Sequence, residues 1–318
     1  MISIVIPVKN GGSDLARCLD AIARQKLDAE VETVIVDSGS TDASVAVARE
    51  HGARVHEIAP HEFNHGGTRN LAASQARGEL LVFLSQDAEP LGADWLARLV
   101  GPLLSDDEVA GVYGRQLARD DAVPPERYFL DFLYGPRRRV QRAGDASELS
   151  MDSTLFSNAN SALRRSLWER FPFASDIIMS EDQDWSRRVL LDGWAIAYEP
   201  DAAVRHSHPY TIGAAFRRFF DSGVSAEHAY LASPQSGRAL RGAALRYLRG
   251  EVGWLLRSGQ ARWLPYAAAY ELAKLAGLQL GARHRSLPLW LKLRCTMNPS
   301  YWTSDAGSLS PAPNGGRA

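Results

Sequence analysis

The feature that most constrains the fold is an alternation of short β-branched runs with helical patterns over residues 2–115. The first helix shows the pattern clearly, because Leu15, Cys18, Leu19 and Ile22 recur at helical spacing. Strands that alternate with helices form a mostly parallel sheet covered by helices on both faces. We therefore predict an α/β fold. Its predicted strands are residues 2–8, 31–36, 53–58, 80–84 and 109–115, with helices near residues 13–22, 43–50, 70–76 and 95–104 between them.

Polar side chains follow three of these predicted strands at the point where each strand ends. They are Asn10, Asp37 and Asp87, the last within the stretch LVFLSQDAEP. Ligands of open α/β sheets bind beyond the carboxyl ends of the strands, so the sequence predicts a site there. The first turn, PVKNGGS, lacks the Gly-x-Gly-x-x-Gly spacing of a dinucleotide site, and no P-loop is present. A nucleotide ligand would have to be held in another way.

The middle of the chain gives further expectations. Residues 117–152 are polar and irregular, and we predict a mobile loop over the site. A helix is predicted from Ser161 to Arg170. Another begins at Ser180, with acids in its first turn that suit the helix dipole. Residues 195–198 resemble a short strand.

Beyond Tyr210 the pattern changes to helices rich in Arg and Trp. We therefore predict an α/β domain over residues 1–210 and a basic, aromatic helical extension over 211–303. The tail, residues 304–318, is rich in Ser, Pro and Gly and is predicted to be disordered.

Composition excludes several classes of protein. The formal net charge of −1 over 318 residues gives no global field for nucleic acid. The two cysteines, Cys18 and Cys295, favour a reducing compartment over a disulfide framework. The apolar start is too short for a signal peptide, and no apolar run approaches the roughly 20 residues of a spanning helix. We expect a cytoplasmic protein.

Four stretches together resemble a known family. SIVIPVKNGGSDLARCLDAI, ETVIVDSGSTDAS, GELLVFLSQDAEP and SEDQDWSRRV match, in order and spacing, the inverting family 2 glycosyltransferases, which have the Rossmann-like GT-A fold. The resemblance covers roughly residues 1–208. The loop HEFNHGGTRN resembles the bacterial rhamnosyltransferase branch, whose donor is dTDP-L-rhamnose.

The resemblance implies a donor site at the strand ends. The family places the end of the first strand around the base and ribose, and an acid in the position of Asp37 on the N3–H of uracil or thymine. The alternative for Asp37 is an Asx turn or a helix cap. His61 and His65 are predicted to lie near the donor. The full set of predicted donor-binding residues is Pro7, Val8, Asn10, Asp37, Arg69, Asn70, Ser85 and Gln86.

A divalent metal is also implied. The family usually has Asp-x-Asp at the fourth strand, and its second acid holds Mg²⁺ or Mn²⁺ against the diphosphate. Here Ser85 replaces the first acid and Asp87 remains. One protein carboxylate is enough when the substrate supplies phosphate oxygens. His206 and His208 are candidate additional ligands, and in an extended segment only one of them would face the site.

The general base of the family matches Asp182 in the Glu181-Asp182 pair. Glu181 would orient or perturb it, and Asp184 is the second candidate base. A carboxylate of tuned pKa can take the proton of an acceptor hydroxyl. The alternative is that the three acids have no catalytic role and lie at a helix N-terminus because negative charge there interacts favourably with the helix dipole.

The predicted function is metal-dependent transfer of L-rhamnose from dTDP-L-rhamnose to a sugar hydroxyl of a cell-surface glycan or lipid-linked oligosaccharide. Alternatives are a UDP-sugar donor, or a sugar-nucleotide-binding protein with weak catalysis. The basic, aromatic helices over residues 211–294 predict peripheral contact with the inner face of the cytoplasmic membrane, or a homo-oligomer.

Overall fold

The computed structural model describes residues 1–145, 149–150, 153–229 and 234–303, with no account of the side chains of 227–229 and 234–241. Its strands are β1 (Ile2–Val8), β2 (Val31–Asp37), β3 (Arg54–Glu57), β4 (Leu80–Leu84), β5 (Glu89–Pro90), β6 (Val109–Leu117), β7 (Arg139–Gln141), β8 (Asn160–Arg164) and β9 (Ala195–Arg205). Its α-helices are α1 (Gly12–Ala23), α2 (Ser44–Glu50), α3 (His65–Gln75), α4 (Trp95–Ser105), α5 (Pro124–Leu133), α6 (Arg165–Arg170), α7 (Glu181–Leu191), α8 (Ile212–Ala229), α9 (Pro234–Arg257), α10 (Leu264–Gly281), α11 (Leu289–Cys295) and α12 (Pro299–Thr303).

One sheet organises the described chain, with strand order β3-β2-β1-β4-β8-β6-β9-β5 and β7 paired to β9. The strands β1 to β4 run parallel, as the alternating pattern predicts, and the α/β fold class is confirmed. Their register pairs Val8 with Asp37, and Val5 with Phe83. The carboxyl ends of β1, β2 and β4 therefore meet at one edge, where the polar residues of the sequence gather.

The sheet has a hydrophobic layer on each face because side chains alternate along a strand. From β1, Ile4 and Ile6 face the layer that contains α1 and α4, whereas Val5 faces the layer that contains α3 and α7. Leu15 lies in the first layer and Trp185 in the second, and both are fully buried. Burial of each large apolar side chain contributes roughly 1.5–3 kcal/mol, so the two layers hold the strand ends rigidly.

The predicted helix from Ser161 to Arg170 is wrong in its first half. Residues Asn160–Arg164 form β8, which runs antiparallel between β4 and β6, and α6 begins only at Arg165. Ala162 and Leu163 are fully buried between the neighbouring strands. Sheet pairing and burial decided the conformation here, against a local pattern that also suits a helix.

The predicted irregular loop over residues 117–152 is also partly wrong. It contains α5 and the short strand β7. Pro124 and Pro125 are the first two residues of α5, where proline is favoured because its missing N–H would have had no partner within the helix. Residues 146–148 and 151–152 of this segment lie outside the described residues.

The described residues beyond 210 are mainly helical, as predicted, and pack directly on the α/β part. Ile178 and Met179 share a buried cluster with Phe220 of α8. The contact between α8 and α10 is close at Gly277 and Gly281, where a methyl group would overlap carbonyl oxygens of α8. The domain boundary near residue 210 stays a prediction, and the tail over 304–318 lies outside the described residues. None of the described helices is long and apolar enough to cross a membrane.

Candidate active site

At the end of β2 is a buried carboxylate in which only one of the two oxygens has hydrogen-bond partners within the described protein. Asp37 is only 2% exposed, and its Oδ2 accepts hydrogen bonds from the backbone N–H groups of Gly39 and Ser40, at 3.0 and 2.8 Å. Its Oδ1 is buried and has no hydrogen-bond partner within the described protein. The Asx-turn alternative therefore accounts for one oxygen and leaves the other able to accept an N–H from a ligand.

The loop after β1 lies beside Asp37 and is tied to the loop after β2. Val8 is buried and Pro7 half-buried in the strand itself. Asn10 adopts a left-handed conformation with φ 50°, and its Oδ1 accepts from the Thr41 N–H at 2.8 Å. Gln86 joins this loop to the end of β4, because its side chain exchanges two hydrogen bonds with the Lys9 backbone. The predicted base-binding residues are thus brought together.

Asp87 forms a compact cluster with both histidines. His206 Nε2 lies 3.4 Å from Asp87 Oδ1, and His208 Nδ1 lies 3.7 Å from Oδ2. The three ligand atoms all fall within 4.8 Å of one another. An extended segment would point only one ring inward, but β9 ends at Arg205, and the chain beyond it is free to turn both rings toward Asp87.

The protonation states of this cluster suit a metal ion. Burial opposes ionisation of Asp87, but the His206 hydrogen bond and the two imidazoles hold its pKa well below the usual range. Burial and His206 lower the pKa of His208 to about 4, so this ring is neutral at pH 7. One carboxylate oxygen and two imidazole nitrogens form a donor set that fits a divalent ion.

Residues of the segment 116–126 hydrogen-bond to the members of this cluster, and none of them was identified from the sequence. Gln116 Oε1 lies 2.8 Å from His206 Nδ1 and accepts its hydrogen bond, so a bound ion would replace the proton on Nε2, the nitrogen that faces Asp87. Arg119 donates from its guanidinium to the Asp87 carbonyl oxygen, and its backbone N–H donates to Ser207 Oγ. No local sequence signal marks these residues, because their partners are distant in the chain.

A second group of acids lies at the start of α7. Asp182 Oδ2 accepts from the backbone N–H of Asn158 at 3.1 Å. Glu181 is buried and pairs with Arg69 at 3.0 Å, and its Oε1 also accepts from Asn158 Nδ2. The strand β8 places Asn158, because its register brings Asn160 beside Leu84 at the sheet edge. Asn158 was missed at the sequence level for the same reason as β8.

The two neighbouring acids differ in pKa. Burial opposes ionisation of Glu181, but the Arg69 guanidinium and His65 hold its pKa below the usual range. Burial and the negative charge of Glu181 raise the pKa of Asp182 to about 7. Environments that separate two carboxyl groups in this way are typical of acid–base sites. Glu181 thus perturbs Asp182, and Asp182 is the group able to gain and lose a proton near neutral pH.

This geometry predicts a pH profile. If Asp182 is the base, kcat/KM should rise tenfold per pH unit below about pH 7 and level off above it, because only the ionised carboxylate accepts a proton. The raised pKa sets the position of the bend, since an ordinary Asp would give a plateau already at about pH 5. Initial rates at fixed metal ion over pH 5–9 measure it. A profile that is flat from pH 5 contradicts the assignment.

Three predicted residues have other partners in the structure. Asp184 forms an ion pair with Arg188 at 2.8 Å, one helical turn further along α7. Asn70 uses its side chain to bind the Trp168 indole and the Phe173 backbone, which ties α3 to the segment after α6. Ser85 lies half-buried at the end of β4, and its backbone pairs with Ala159. The side-chain partners of Asp184 and Asn70 are thus not other predicted site residues.

Backbone strain flanks the site on both sides. Asn10 and Ser180 are the non-glycine residues with positive φ in the described part of the chain, at 50° and 65°. One precedes α1 at the base-binding end, and the other precedes Glu181. Such conformations cost of the order of 1–3 kcal/mol and cluster at functional sites.

Comparison with known proteins agrees with this geometry. The model of the family described as glycosyl transferase family 2 matches residues 3–171. The O-antigen chain rhamnosyltransferase RfbN of Salmonella typhimurium is 35% identical over 309 residues, which are 95% of this chain and 96% of that protein. The O-antigen chain rhamnosyltransferase WbaN of Salmonella anatum is 34% identical, with the same coverage of both chains.

Solved structures share the fold. A mannosyltransferase from Pyrobaculum calidifontis, in complex with GDP-Man and Mn²⁺, superposes with a TM-score of 0.58 at 20% identity, over 92% of this chain and 87% of that one. Glucosyl-3-phosphoglycerate synthase from Mycobacterium tuberculosis, with Mn²⁺ and UDP, gives a TM-score of 0.51 at 22% identity, over 72% and 80% of the two chains. With the matching family model and a relative aligned almost end to end, these likenesses establish that the chain belongs to glycosyl transferase family 2 and is a glycosyltransferase of the GT-A fold.

Proposed function

We propose that this glycosyltransferase transfers L-rhamnose from dTDP-L-rhamnose to a sugar hydroxyl of a cell-surface glycan or lipid-linked oligosaccharide, with inversion at the anomeric carbon. The observation that carries the rhamnosyl assignment is the likeness, over 95% of the chain, to two proteins named O-antigen chain rhamnosyltransferases. The unpartnered Oδ1 of Asp37 supports a thymine or uracil nucleotide, since both bases carry an N3–H.

The proposed chemistry divides between the two acidic groups. Asp182 takes the proton of the acceptor hydroxyl as that oxygen attacks the anomeric carbon, and dTDP leaves from the opposite face. Asn158 holds the Asp182 carboxylate through its backbone N–H, and Glu181 keeps its pKa close to neutral. Asp184, paired with Arg188, is the less suitable base of the two.

Asp87, His206 and His208 would hold Mg²⁺ or Mn²⁺. When bound, the ion would neutralise the charge that develops on the leaving diphosphate. Imidazole nitrogen prefers later divalent metals to Mg²⁺, so two histidines favour Mn²⁺. The two structural neighbours described with Mn²⁺ are consistent with this choice, although at 20–22% identity their likeness extends only to the fold.

Two alternatives make different demands on the site. A UDP-sugar donor would present the same N3–H to Asp37 but would add a ribose 2′-hydroxyl, and Ser85 offers that hydroxyl only a weak acceptor. A sugar-nucleotide-binding protein with weak catalysis would have no use for the raised pKa of Asp182. The perturbed acid therefore favours an active enzyme.

The donor can be identified directly. Thermal shifts with dTDP, UDP and GDP, each with and without Mn²⁺, should show the largest stabilisation with dTDP and Mn²⁺, because binding to the native state raises stability. Release of dTDP from dTDP-L-rhamnose then tests turnover. A larger shift with UDP would support the UDP-sugar alternative, and binding of dTDP without turnover on any acceptor would support the binding protein.

Peripheral membrane contact is a further part of the proposal. In α10 the only charged residues, Glu271 and Lys274, face inward, with side chains 13% and 7% exposed. The outer face is apolar and includes Leu272 and Leu275, which are 66% and 55% exposed. Between residues 242 and 303 the only acids are Glu251 and Glu271, and both are largely buried. Seven arginines are exposed there: Arg246, Arg249, Arg257, Arg262, Arg283, Arg285 and Arg294.

An exposed apolar helix face in a segment with seven exposed arginines suits an anionic lipid surface. We expect the protein to sediment with vesicles that contain acidic lipid at low salt, and to be released at high salt. Replacing Leu272 and Leu275 by Glu should abolish the binding, whereas Leu104→Glu, at a 70% exposed position of α4, should not. Equal loss in both variants would contradict the assignment to α10. The alternative prediction, a homo-oligomer, is tested by measuring the molecular mass of the protein in solution.

A further inference from the structure

The inner face of α10 carries a row of aromatic rings. Trp263 is the residue just before α10, and Tyr266 and Tyr270 follow it at spacings of three and four residues, so the three rings lie on one side of the helix. The centroids of Trp263 and Tyr266 are 5.5 Å apart, and those of Tyr266 and Tyr270 are 5.8 Å apart, with the two tyrosine rings stacked at 20°. The row is half-buried at Trp263 and Tyr266 and buried at Tyr270, so it runs from the surface inward.

The inner end of the row lies against α5. Phe129 of α5 packs its ring 4.2 Å from Lys274 Nζ of α10. The Tyr270 ring also lies 5.6 Å from Lys274 Nζ, so Tyr270 and Phe129 meet at this lysine. Glu126 lies one turn before Phe129 on α5. Burial and the negative charge of Glu126 raise the pKa of both Tyr266 and Tyr270, which agrees with a position of Glu126 near the two rings.

Glu126 connects the row to the metal cluster. Its Oε1 accepts from the backbone N–H of His208 at 2.7 Å. Tyr210 stacks on the His208 ring, with centroids 5.2 Å apart at 30°. Glu126 thus links α5, which Tyr270 approaches at Lys274, to the backbone of the histidine that faces Asp87.

Two polar atoms along the row lack partners. Glu126 is 7% exposed, and its Oε2 is buried with no hydrogen-bond partner in the described structure. The indole Nε1 of Trp263 is likewise buried and unpaired. Leaving such groups unpaired costs about 1–3 kcal/mol each, so a ligand that satisfies both would regain that energy. One is an acceptor and the other a donor, which together match a molecule rich in hydroxyl groups.

We propose that the row Trp263–Tyr266–Tyr270, with Glu126 at its inner end, is the binding site for the acceptor glycan. The inference rests on the proposed glycosyl transfer and adds to it the residues that hold the second substrate. The half-buried rings of Trp263 and Tyr266 pack against the C–H faces of sugar rings, Tyr270 supports Tyr266 from the inside, and the two unpaired atoms hydrogen-bond sugar hydroxyls. From Trp263 to Tyr270 the helix rises about 10 Å, longer than one sugar ring, so the site suits an oligosaccharide.

The test distinguishes the loss of an aromatic contact with the acceptor from a general loss of folding. In a Tyr266→Ala variant, the KM for an oligosaccharide acceptor should rise roughly tenfold, because one aromatic contact of this kind is worth about one power of ten in affinity. Tyr266→Phe should retain the wild-type KM, since the ring is kept. The Kd for dTDP with Mn²⁺ should not change in either variant. Trp290→Ala, at a 66% exposed position of α11, is the matched aromatic control.

The acceptor probes are octyl glycosides of di- and trisaccharides that contain galactose, glucose, mannose or rhamnose. Their binding is measured by saturation-transfer NMR and their glycosylation by mass spectrometry. An unchanged KM in Tyr266→Ala overturns the inference, as does a wild-type protein that binds none of the probes. Release of dTDP from dTDP-L-rhamnose in the same samples reports separately on the proposed function, so the two failures are distinguishable.

Discussion

Asp182→Asn should abolish transfer while leaving donor binding intact. The amide keeps the shape of the carboxyl group but cannot accept a proton, and general base catalysis contributes about 10²–10⁴-fold to a rate. We expect kcat to fall by at least 10³, about 4 kcal/mol in activation free energy. The Kd for dTDP with Mn²⁺ should stay within about twofold of wild type, because Asp182 contacts neither Asp37 nor the metal cluster. Stopped assays of dTDP release and nucleotide titrations measure the two effects.

The matched control is Asp184→Asn, two residues further along α7. That change breaks the ion pair with Arg188, which is partly exposed and contributes up to about 1 kcal/mol to stability, but it removes no proton acceptor near Asn158. We expect kcat close to wild type. If Asp184→Asn instead loses activity and Asp182→Asn retains it, the base is Asp184, and the roles of the two acids must be exchanged.

Asp87→Ala should remove the dependence of nucleotide binding on the metal ion. With the carboxylate gone, two imidazoles remain, and they are poor ligands for a hard cation without an anionic oxygen. The Kd for dTDP in Mn²⁺ should rise to the value that wild type shows in EDTA, and transfer should fall by at least 10², since the metal contributes several kcal/mol to the transition state. Mn²⁺ binding is followed independently of activity by electron paramagnetic resonance.

Glu89→Gln controls for a general loss of negative charge at this sheet edge. Glu89 lies two residues from Asp87 and pairs with Arg205 at 3.7 Å, and it is not a member of the cluster formed by Asp87 and the two histidines. Its replacement should leave Mn²⁺ affinity unchanged. A wild-type protein whose dTDP binding ignores Mn²⁺ would refute the metal role, whatever the variants do.

The sequence predicted the parallel half of the fold well. The β-branched runs before Asn10, Asp37 and Ser85 are strands that hydrogen-bond to one another, and their ends meet as expected. The reason is that a fully buried parallel strand needs a continuous apolar run, which is visible in one dimension. The antiparallel strand β8 has no continuous apolar run. Its first residue, Asn160, is polar, and its burial depends on hydrogen bonds with distant partners, the Trp95 indole and the Ala202 carbonyl.

The site was predictable as a set of residue types and not as a set of partners. Asp87, His206 and Asp182 stand out in the sequence because carboxylates and imidazoles are the groups this chemistry uses. The residues that orient them are Gln116, Arg119 and Asn158, and nothing in their own neighbourhood marks them. Each acts through a partner between 24 and 90 residues away in the chain.

The C-terminal helices illustrate the same limit. Composition alone gives a basic, aromatic block, but not which side of a helix faces the protein. The structure turns the two charges of α10 inward, where Lys274 pairs with Glu271 at 2.8 Å, and leaves Leu272 outside.

The sequence by itself determined the strand ends, the candidate metal ligands and the acids of α7, because each depends on local pattern and on side-chain chemistry. The tertiary structure decided which histidines face Asp87, which acid of the Glu181-Asp182 pair has a raised pKa, and which aromatic rings pack together along α10. Those properties depend on burial and on charges brought together from distant parts of the chain. Asp182 and Asp184 are chemically identical, and only the neighbours supplied by the fold, Glu181 and Asn158 for one and Arg188 for the other, make them different.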